Sequence, residues 1–172
     1  MPKTLTAAEK GTATHLFMQF SSYEACASDA QIKGELDRLY KEGFLSKEQA
    51  EEVHLDRILR FFQSELGCWL VKQPTLQREF KFSVLVDAGD FVHEAEGEQM
   101  MLQGVVDCFV PENDGITILD FKTDRIDNDL WEKAAYYRPQ LEVYGSALSR
   151  IYDLPIKKKI LYFFNADQAV EL

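Results

Sequence analysis

Apolar residues in the first 70 positions recur at helical spacing, so this part of the chain is predicted to be helical. The first helix follows the dipeptide Gly11-Thr12, and the second ends at Gly43, because glycine readily adopts the conformation that closes a helix. A third helix opens at the capping-box pattern S-x-x-Q of residues 46–49 and closes at Gly67. The apolar positions that define these helices are Leu16, Phe17, Phe20, Ile32, Leu36, Leu39, Tyr40, Val53, Leu55, Ile58, Leu59 and Phe62.

Beyond Pro74 the spacing changes to alternation of apolar and polar residues, which is the pattern of β-strands. The first predicted strand ends at residues 88–90. Its alternating apolar residues are Phe80, Phe82, Val84 and Val86. Residues 101–110 and 116–122 form two further strands, and the turn-forming residues 111–115 separate them. The three strands therefore form a predicted antiparallel meander.

The last part of the chain predicts one helix followed by one strand. Proline is tolerated in the first turn of a helix but not in its interior, so Pro139 predicts a helix that begins near Tyr137. The apolar face of this helix carries Tyr137, Leu141, Tyr144, Leu148 and Ile151. Residues 159–164 form the final strand. This order of elements predicts an α/β fold in which helices flank a small mixed sheet.

Length and composition are those of a soluble globular protein, with 172 residues, 46% hydrophobic and 28% charged. We expect one domain over residues 1–172, with a mainly helical part at 1–72 and a sheet core at 73–172. No run approaches the roughly 18 apolar residues that cross a bilayer. Residues 1–4 do not start a secretory signal. The interpretation is a cytoplasmic protein with no membrane partner.

The net charge and the cysteine content limit which kinds of binding site the chain can contain. The formal net charge of −10 counts against nucleic-acid binding through a broad basic surface. A small site remains compatible with that charge, because a metal ion there supplies the positive charge beside a phosphate. The wide spacing of Cys26, Cys68 and Cys108 favours reduced, buried thiols over a disulfide framework or a zinc or iron–sulfur site.

Two acidic residues are predicted to face each other across the second and third strands. If residues 113 and 114 are the central residues of the turn, the pairing places Asp107 opposite Asp120. Side chains alternate along a strand, so Lys122 shares a face with Asp120. A bulge at Gly115 would shift this pairing by one residue.

Opposed carboxylates repel each other, and a bridging cation is one explanation for keeping them. A magnesium ion is usually held by one or two carboxylates together with water and substrate phosphate. Lys122 would then neutralise charge on a phosphate or position a nucleophile. The alternative is a pair of ordinary edge-strand charges, in which Asp120 and Lys122 pair for solubility.

Four further residues are weaker candidates on the sequence alone. His15 lies near the start of an apolar helix, where a histidine is usually packed or solvent-exposed. Glu79 is either a further carboxylate of the site or an outward-facing strand residue. Gln140 and Tyr144 share one helix face, and they either contact a phosphate and brace Lys122 or belong to the core.

Four motifs in order resemble those of a known family. They are G-T-x-x-H at residues 11–15, G-V-V-D at 104–107, D-F-K-T-D at 120–124 and Q-x-x-x-Y-G at 140–145. Together they resemble the RecB-type branch of the PD-(D/E)xK nuclease superfamily, and within it the C-terminal nuclease domains of AddA-type helicase–nucleases. The resemblance extends over almost the whole chain, from about residue 9 to residue 164.

This resemblance implies a restriction-endonuclease-like core and a role for each candidate. The implied metal ligands are His15, Asp107, Asp120 and the carbonyl of Phe121. Lys122 is the implied catalytic lysine. Glu79, Gln140 and Tyr144 match family positions with supporting roles in the site. The implied cofactor is Mg²⁺, with Mn²⁺ or Ca²⁺ also able to occupy the site. No iron–sulfur cluster is expected, because the four cysteines that some relatives carry are absent.

The resemblance further implies an exonuclease that cleaves DNA, with single-stranded ends as its substrate, during double-strand break processing for homologous recombination. The implied partners are a helicase part of the same polypeptide and an AddB-like subunit. The sequence contains no G-x-x-x-x-G-K-[ST] motif, so no ATP site of that type is expected. Two alternatives remain: a non-catalytic DNA- or protein-binding domain with the same fold, and a metal phosphoesterase that acts on small phosphate esters.

Overall fold

Five α-helices precede the sheet in the computed structural model, which describes residues 5–127 and 129–172. They are α1 (Ala7–Phe20), α2 (Asp29–Lys41), α3 (Lys47–Glu52), α4 (Leu55–Gln63) and α5 (Glu65–Val71). The strands are β1 (Gln77–Asp87), β2 (Gln99–Glu112), β3 (Gly115–Lys122), β4 (Ile156–Phe163) and β5 (Gln168–Glu171), and α6 (Leu130–Tyr152) connects β3 to β4. Short 3₁₀ helices cover Tyr23–Ala25, Ala88–Asp90 and His93–Ala95. The expectation about the start of the chain concerns residues 1–4, which lie outside the described residues.

The first helix begins earlier than predicted. Thr6 caps α1: its hydroxyl accepts a hydrogen bond from the amide of Glu9 at 3.3 Å, and the Glu9 carboxylate accepts one from the amide of Thr6 at 2.7 Å. Gly11 therefore lies inside the helix instead of preceding it. A Cβ at this position would lie 2.7 Å from Oγ1 of Thr123, so glycine lets α1 approach the end of β3 closely.

The single helix predicted from the capping box at Ser46 is instead three helices. The box itself is present, but Val53 is extended and ends α3. Ser64 is also extended, and its hydroxyl accepts a hydrogen bond from the amide of Gly67 at 3.1 Å, which starts α5. The prediction that Gly67 closes a helix is wrong. Gly67 packs against the Phe61 carbonyl, which a Cβ would approach to 2.0 Å.

The five strands form one mixed sheet in the order β1-β2-β3-β4-β5. All neighbouring pairs are antiparallel except β3 and β4, which are parallel. Glu112 pairs with Gly115 across a two-residue turn, so the predicted strand β2 extends two residues further than expected. The predicted final strand begins three residues earlier, at Ile156. The sequence analysis missed β5, a short edge strand of four residues.

Helix α6 begins at Leu130, so the prediction of a start near Tyr137 is wrong. The Asp129 carboxylate caps it by accepting a hydrogen bond from the amide of Trp131 at 2.8 Å. Pro139 lies in the helix interior and leaves the carbonyl of Ala135 without its usual helical donor. Both residues are solvent-exposed, so water can hydrogen-bond to that carbonyl at little cost.

The sheet separates two hydrophobic cores. One core packs α1, α2, α4 and α5 against one face, and its largest fully buried side chains include Phe17, Phe61 and Phe121. The other core packs α6 against the opposite face and includes Phe109 and Phe163. Full burial of each such ring contributes roughly 1.5–3 kcal/mol. The two cores hold β3, which carries the candidate chemistry, rigidly from both sides.

Two of the three cysteines are buried as expected, Cys26 and Cys108, whereas Cys68 is exposed. Burial raises the pKa of the Cys26 thiol to about 12, which keeps this thiol protonated and unreactive. No helix in the described part of the chain is both long and apolar enough to cross a membrane.

Candidate active site

The opposed carboxylates predicted from the sequence are present, with Asp107 inside β2 and Asp120 near the end of β3. The antiparallel register pairs Cys108 with Leu119, so Asp107 and Asp120 are the next two residues opposite each other. The register has no shift at the turn, so the alternative of a bulge at Gly115 is wrong. The Asp107 carboxylate accepts a hydrogen bond from the amide of Phe121 at 2.8 Å. Asp120 is only 3% exposed.

Burial and mutual repulsion set the charge state of the pair. Burial and then the charge of Asp107 raise the pKa of Asp120 to about 7. Burial also tends to raise the pKa of Asp107, but hydrogen bonding and charge attraction from His15 outweigh it, and the net pKa is lowered. Positive charge beside the pair lowers the pKa of Asp120 and favours its ionised form, as the charge of Lys122 does.

Lys122 lies beside the pair and is itself nearly buried, with 12% of its side chain exposed. Its Nζ lies 2.6 Å from Oδ2 of Asp120, at angles that do not form a hydrogen bond. No hydrogen-bond partner for this buried oxygen is found among the described residues. The Lys122 ammonium donates a hydrogen bond to Oε1 of Gln140 at 2.8 Å and lies 3.9 Å from the Tyr137 ring centroid. Lys122 is thus held in one position.

His15 reaches the pair from the middle of α1, not from the helix start that the sequence indicated. Its Nδ1 lies 2.9 Å from the Gly11 carbonyl. Its Nε2 lies 2.9 Å from the Phe121 carbonyl and 3.3 Å from Oδ2 of Asp107. Burial lowers the pKa of His15, but the hydrogen bond and charge of Asp107 outweigh this and raise it to about 9. A neutral imidazole that donates from Nδ1 to Gly11 would present a free lone pair on Nε2.

Glu79 lies across from Asp107 on β1 and lines the same cleft as His15. Its backbone φ is +49°, a left-handed conformation that is uncommon for residues other than glycine. Burial and then the charge of Asp107 raise the pKa of its carboxylate. The strained backbone turns this residue out of the regular strand pattern, and such strain tends to occur at functional sites.

Gln140 and Tyr144 share a helix face but lie in different environments. Gln140 is exposed and accepts the hydrogen bond from Lys122, so it braces the lysine. Tyr144 is 8% exposed and belongs to the core beside α6. Its ring packs on Gly104, where a Cβ would lie 3.0 Å from the Tyr144 Cε1 atom. Burial raises the pKa of the Tyr144 phenol, with a further contribution from Asp120.

Sequence reasoning missed a polar group that follows Lys122. The Asp124 carboxylate accepts hydrogen bonds from the Tyr137 hydroxyl at 2.7 and 2.9 Å and lies 3.0 Å from Nζ of Lys133. The side-chain amide of Asn165 donates hydrogen bonds to the carbonyls of Thr123 and Asp124. Asp124 was visible in the D-F-K-T-D motif, whereas no local signal pointed to Asn165.

The donor set fits a divalent cation. Two carboxylates, a carbonyl oxygen and an imidazole nitrogen are hard or borderline ligands of the kind that bind such ions. Within the described residues, no three His, Cys, Asp or Glu side chains already surround one point. Oδ2 of Asp120, which pairs with the Lys122 ammonium, nevertheless lies buried beside a second carboxylate, and a cation there would offset the burial and repulsion that raise the Asp120 pKa.

Comparison with known proteins identifies the family of the chain. Residues 1–171 match the family model of the PD-(D/E)XK nuclease superfamily. The chain belongs to this superfamily. Nucleases of the PD-(D/E)XK superfamily generally use divalent metal ions.

Two relatives of this PD-(D/E)XK chain are each named as one subunit of an ATP-dependent helicase/nuclease. The protein from Bacillus cytotoxicus is 34% identical over 181 residues, which cover 99% of this chain and 15% of the relative. The protein from Clostridium botulinum is 33% identical over 175 residues, which cover 99% of this chain and 14% of the relative. The chain thus spans about one seventh of the length of these relatives. The crystal structure of SSO0001 matches 93% of this chain and 64% of that chain, with a TM-score of 0.43 and 18% identity.

Proposed function

We propose that this chain is a metal-dependent deoxyribonuclease domain that hydrolyses phosphodiester bonds in DNA. One observation carries the proposal: the partly buried Asp107 lies opposite the buried Asp120, with the ammonium of Lys122 2.6 Å from Asp120. Two repelling carboxylates removed from water lower the free energy of unfolding, so stability alone does not explain them. In a nuclease site the acids would bind a cation, and the lysine would neutralise charge on the phosphate.

His15, Asp107, Asp120 and the carbonyl of Phe121 would hold the metal ion. Mg²⁺ is the proposed ion, and Mn²⁺ or Ca²⁺ would bind to the same oxygen-rich set. A bound ion supplies positive charge to the phosphate and makes an adjacent water more acidic. The Gly11 carbonyl orients the imidazole of His15 by accepting its Nδ1 proton, which keeps Nε2 directed at the ligand position.

The remaining residues act on the substrate without touching the ion. Lys122 would neutralise charge that develops on the scissile phosphate, because its ammonium is already held beside the carboxylate pair. Gln140 fixes the Lys122 ammonium by accepting its hydrogen bond. Tyr144 supports this arrangement from the core. We assign Glu79 to hydrogen-bond the attacking water from the cleft wall, which it lines together with His15 and Asp107.

The wider role follows from the relatives that are named as helicase/nuclease subunits. We propose that the chain is the nuclease part of such a protein, where it acts as an exonuclease on single-stranded DNA ends. The helicase part of the same polypeptide and an AddB-like partner would deliver those ends during recombinational repair of double-strand breaks. This work on DNA would take place in the cytoplasm.

The test is cleavage of an end-labelled single-stranded oligonucleotide by the purified chain in Mg²⁺. We expect shortened products that disappear with EDTA and with Lys122→Ala. Lys33→Ala is the control, because Lys33 is an exposed lysine of α2 that pairs with Asp29 and does not line the cleft, and it should cleave like the parent. Cleavage by Lys122→Ala at the parental rate would overturn the assignment. A parent chain that binds DNA but never cleaves it would favour the alternative of an inactive binding domain.

A further inference from the structure

A small pocket rich in basic side chains continues the active-site cleft on the other side of Thr123. This basic pocket is lined by Lys10, His54, Arg57, Arg125, Thr123 and Asn165 and has a volume of about 160 Å³. The cleft that contains His15, Glu79 and Asp107 shares Ala7, Gly11 and Thr123 with it. The two depressions therefore form one continuous surface, with the acids at one end and the basic groups at the other.

The concentration of basic side chains is not a consequence of composition, because the chain carries a net charge of −10. Arg57 contacts a neutral group: its guanidinium donates a hydrogen bond to the side-chain oxygen of Asn165. Among the described residues, no carboxylate forms an ion pair with Arg57 within 4.0 Å, so its positive charge remains available to an anion.

The other two cationic residues have replaceable partners. Arg125 lies 2.7 Å from Asp127, but both side chains are largely exposed, at 87% and 63%. Lys10 lies 2.7 Å from Glu52, and this pair is also partly exposed. Exposed ion pairs contribute little stability, so a phosphate could take over either cation at small cost. The pocket thus offers one available guanidinium and two exchangeable cations.

Asn165 connects the basic pocket to the candidate active site. Its amide nitrogen donates hydrogen bonds to the carbonyls of Thr123 at 2.8 Å and Asp124 at 3.0 Å. These residues directly follow Lys122 in the chain. The same side chain therefore binds Arg57 through its oxygen and the end of the lysine strand through its nitrogen. Arg57 is fixed relative to Lys122 although the two lie on different elements.

We propose that the basic pocket binds a backbone phosphate of the DNA strand at a distance from the scissile bond, with Arg57 as the main contact. This inference rests on the proposed nuclease function. Arginine suits the role because its planar guanidinium offers several donors to phosphate oxygens. Such a contact positions the strand without reading its sequence. Arg57 is a positioning residue, and the chemistry stays with the carboxylate pair and Lys122.

The test compares Arg57→Gln with Arg60→Gln in the full chain. Arg60 lies one turn further along α4, outside the pocket, and pairs with Asp56 at 2.7 Å. Binding of a fluorescent single-stranded oligonucleotide is measured in EDTA over a series of salt concentrations, so that no metal or cleavage is involved. Arg57→Gln should weaken binding roughly tenfold and reduce the slope of log K against log salt by about one. Arg60→Gln should match the parent, and Arg57→Lys should recover part of the loss.

Cleavage assays then separate the two proposals. With Mg²⁺, Arg57→Gln should raise KM and leave kcat close to the parental value, because a remote phosphate contact contributes uniform binding. Equal binding by Arg57→Gln and Arg60→Gln would overturn the pocket assignment while leaving the nuclease intact. A parent chain that binds no oligonucleotide at low salt would also overturn it. Arg57-dependent binding without any cleavage would support the pocket and contradict the nuclease. Thermal melting of each variant verifies that it folds.

Discussion

Glu35 in α2 and Asp120 in β3 are both buried carboxylates, with 8% and 3% of their surfaces exposed. Glu35 accepts two hydrogen bonds from the guanidinium of Arg38, at 3.0 and 2.8 Å, and one from the amide of Ser22 at 2.7 Å. The hydrogen bonds from Arg38 and the Ser22 amide outweigh burial and lower the Glu35 pKa. The hydrogen bonds of this environment favour the ionised form, as expected for a carboxylate that joins α2 to the chain after α1.

The surroundings of Asp120 have the opposite effect and disfavour its ionised form. Its Oδ2 has no hydrogen-bond partner within the described part of the chain, a second carboxylate lies opposite, and burial raises its pKa. Lys122 offsets only part of this. The fold thus satisfies Glu35 with three hydrogen bonds, whereas at Asp120 the ion pair with Lys122 opposes both burial and a second carboxylate. The difference points to a ligand that Asp120 still requires, and it can be tested by removing each charge in turn.

The largest effect is expected for Asp120→Asn. The change keeps the shape of the side chain but removes the negative charge that the proposed metal ion needs, so cleavage should fall on the order of a thousandfold or more. The free energy of unfolding should stay within about 1 kcal/mol of the parent or rise, because a like-charge repulsion is lost. Cleavage kinetics and urea unfolding measure the two effects on one sample.

Asp37→Asn is the control, since Asp37 is an exposed acid of α2 that pairs with Lys41 at 2.6 Å. It should alter neither cleavage nor stability by more than a few tenths of a kcal/mol. Parental cleavage by Asp120→Asn would contradict its assignment as a metal ligand. Unfolding of this variant would contradict the comparison, because it would mean that Asp120 stabilises the fold as Glu35 does.

A smaller effect is expected for Glu35→Gln, and it is a loss of stability instead of a loss of cleavage. Loss of the charge weakens three hydrogen bonds and leaves Arg38 with Glu42 and the Phe20 carbonyl as partners. The free energy of unfolding should fall by roughly 1–3 kcal/mol. Cleavage per folded molecule should equal that of the parent, since Glu35 does not contact the cleft residues. Urea unfolding and active-site titration provide the two values, with Asp37→Asn as the same-helix control. A stable but inactive variant would break the distinction between the two acids.

Local rules were sufficient to predict the carboxylate pair. Strand alternation and a two-residue turn at 113–114 placed Asp107 opposite Asp120, and the structure has this register. Gly115, directly after the turn, has a φ of +151°, which glycine adopts without strain. The capping box at Ser46 followed from an equally local pattern. These features depend on neighbours within a few residues, and the sequence displays such neighbours directly.

Features that depend on distant contacts were not predictable. Pro139 indicated the start of a helix, but its exposed position lets α6 continue through it. Arg57 and Asn165 are 108 residues apart and belong to no motif, so their contact depends on how α4 packs beside β4. The reach of His15 to Phe121, across 106 residues, likewise depends on the close approach of α1 at Gly11. The family motif G-T-x-x-H, and not the helical spacing, indicated that His15 belongs to the site.

The smallest predicted effect is the pH dependence of the Glu35 contribution. The pKa of Glu35 in the folded protein lies below its ordinary value of 4.5, so the folded state holds this proton more weakly than the unfolded state. The stability gained from ionised Glu35 is therefore fully present above pH 4.5 and is lost as pH falls through the lowered pKa. The difference in unfolding free energy between the parent and Glu35→Gln should be constant from pH 7 to about 5 and then shrink. Asp120 and the other acids are present in both proteins, so their titration cancels in the difference. Urea unfolding at closely spaced pH values measures it, and a difference that grows below the ordinary Glu35 pKa of 4.5 would mean that Glu35, like Asp120, is destabilised when ionised.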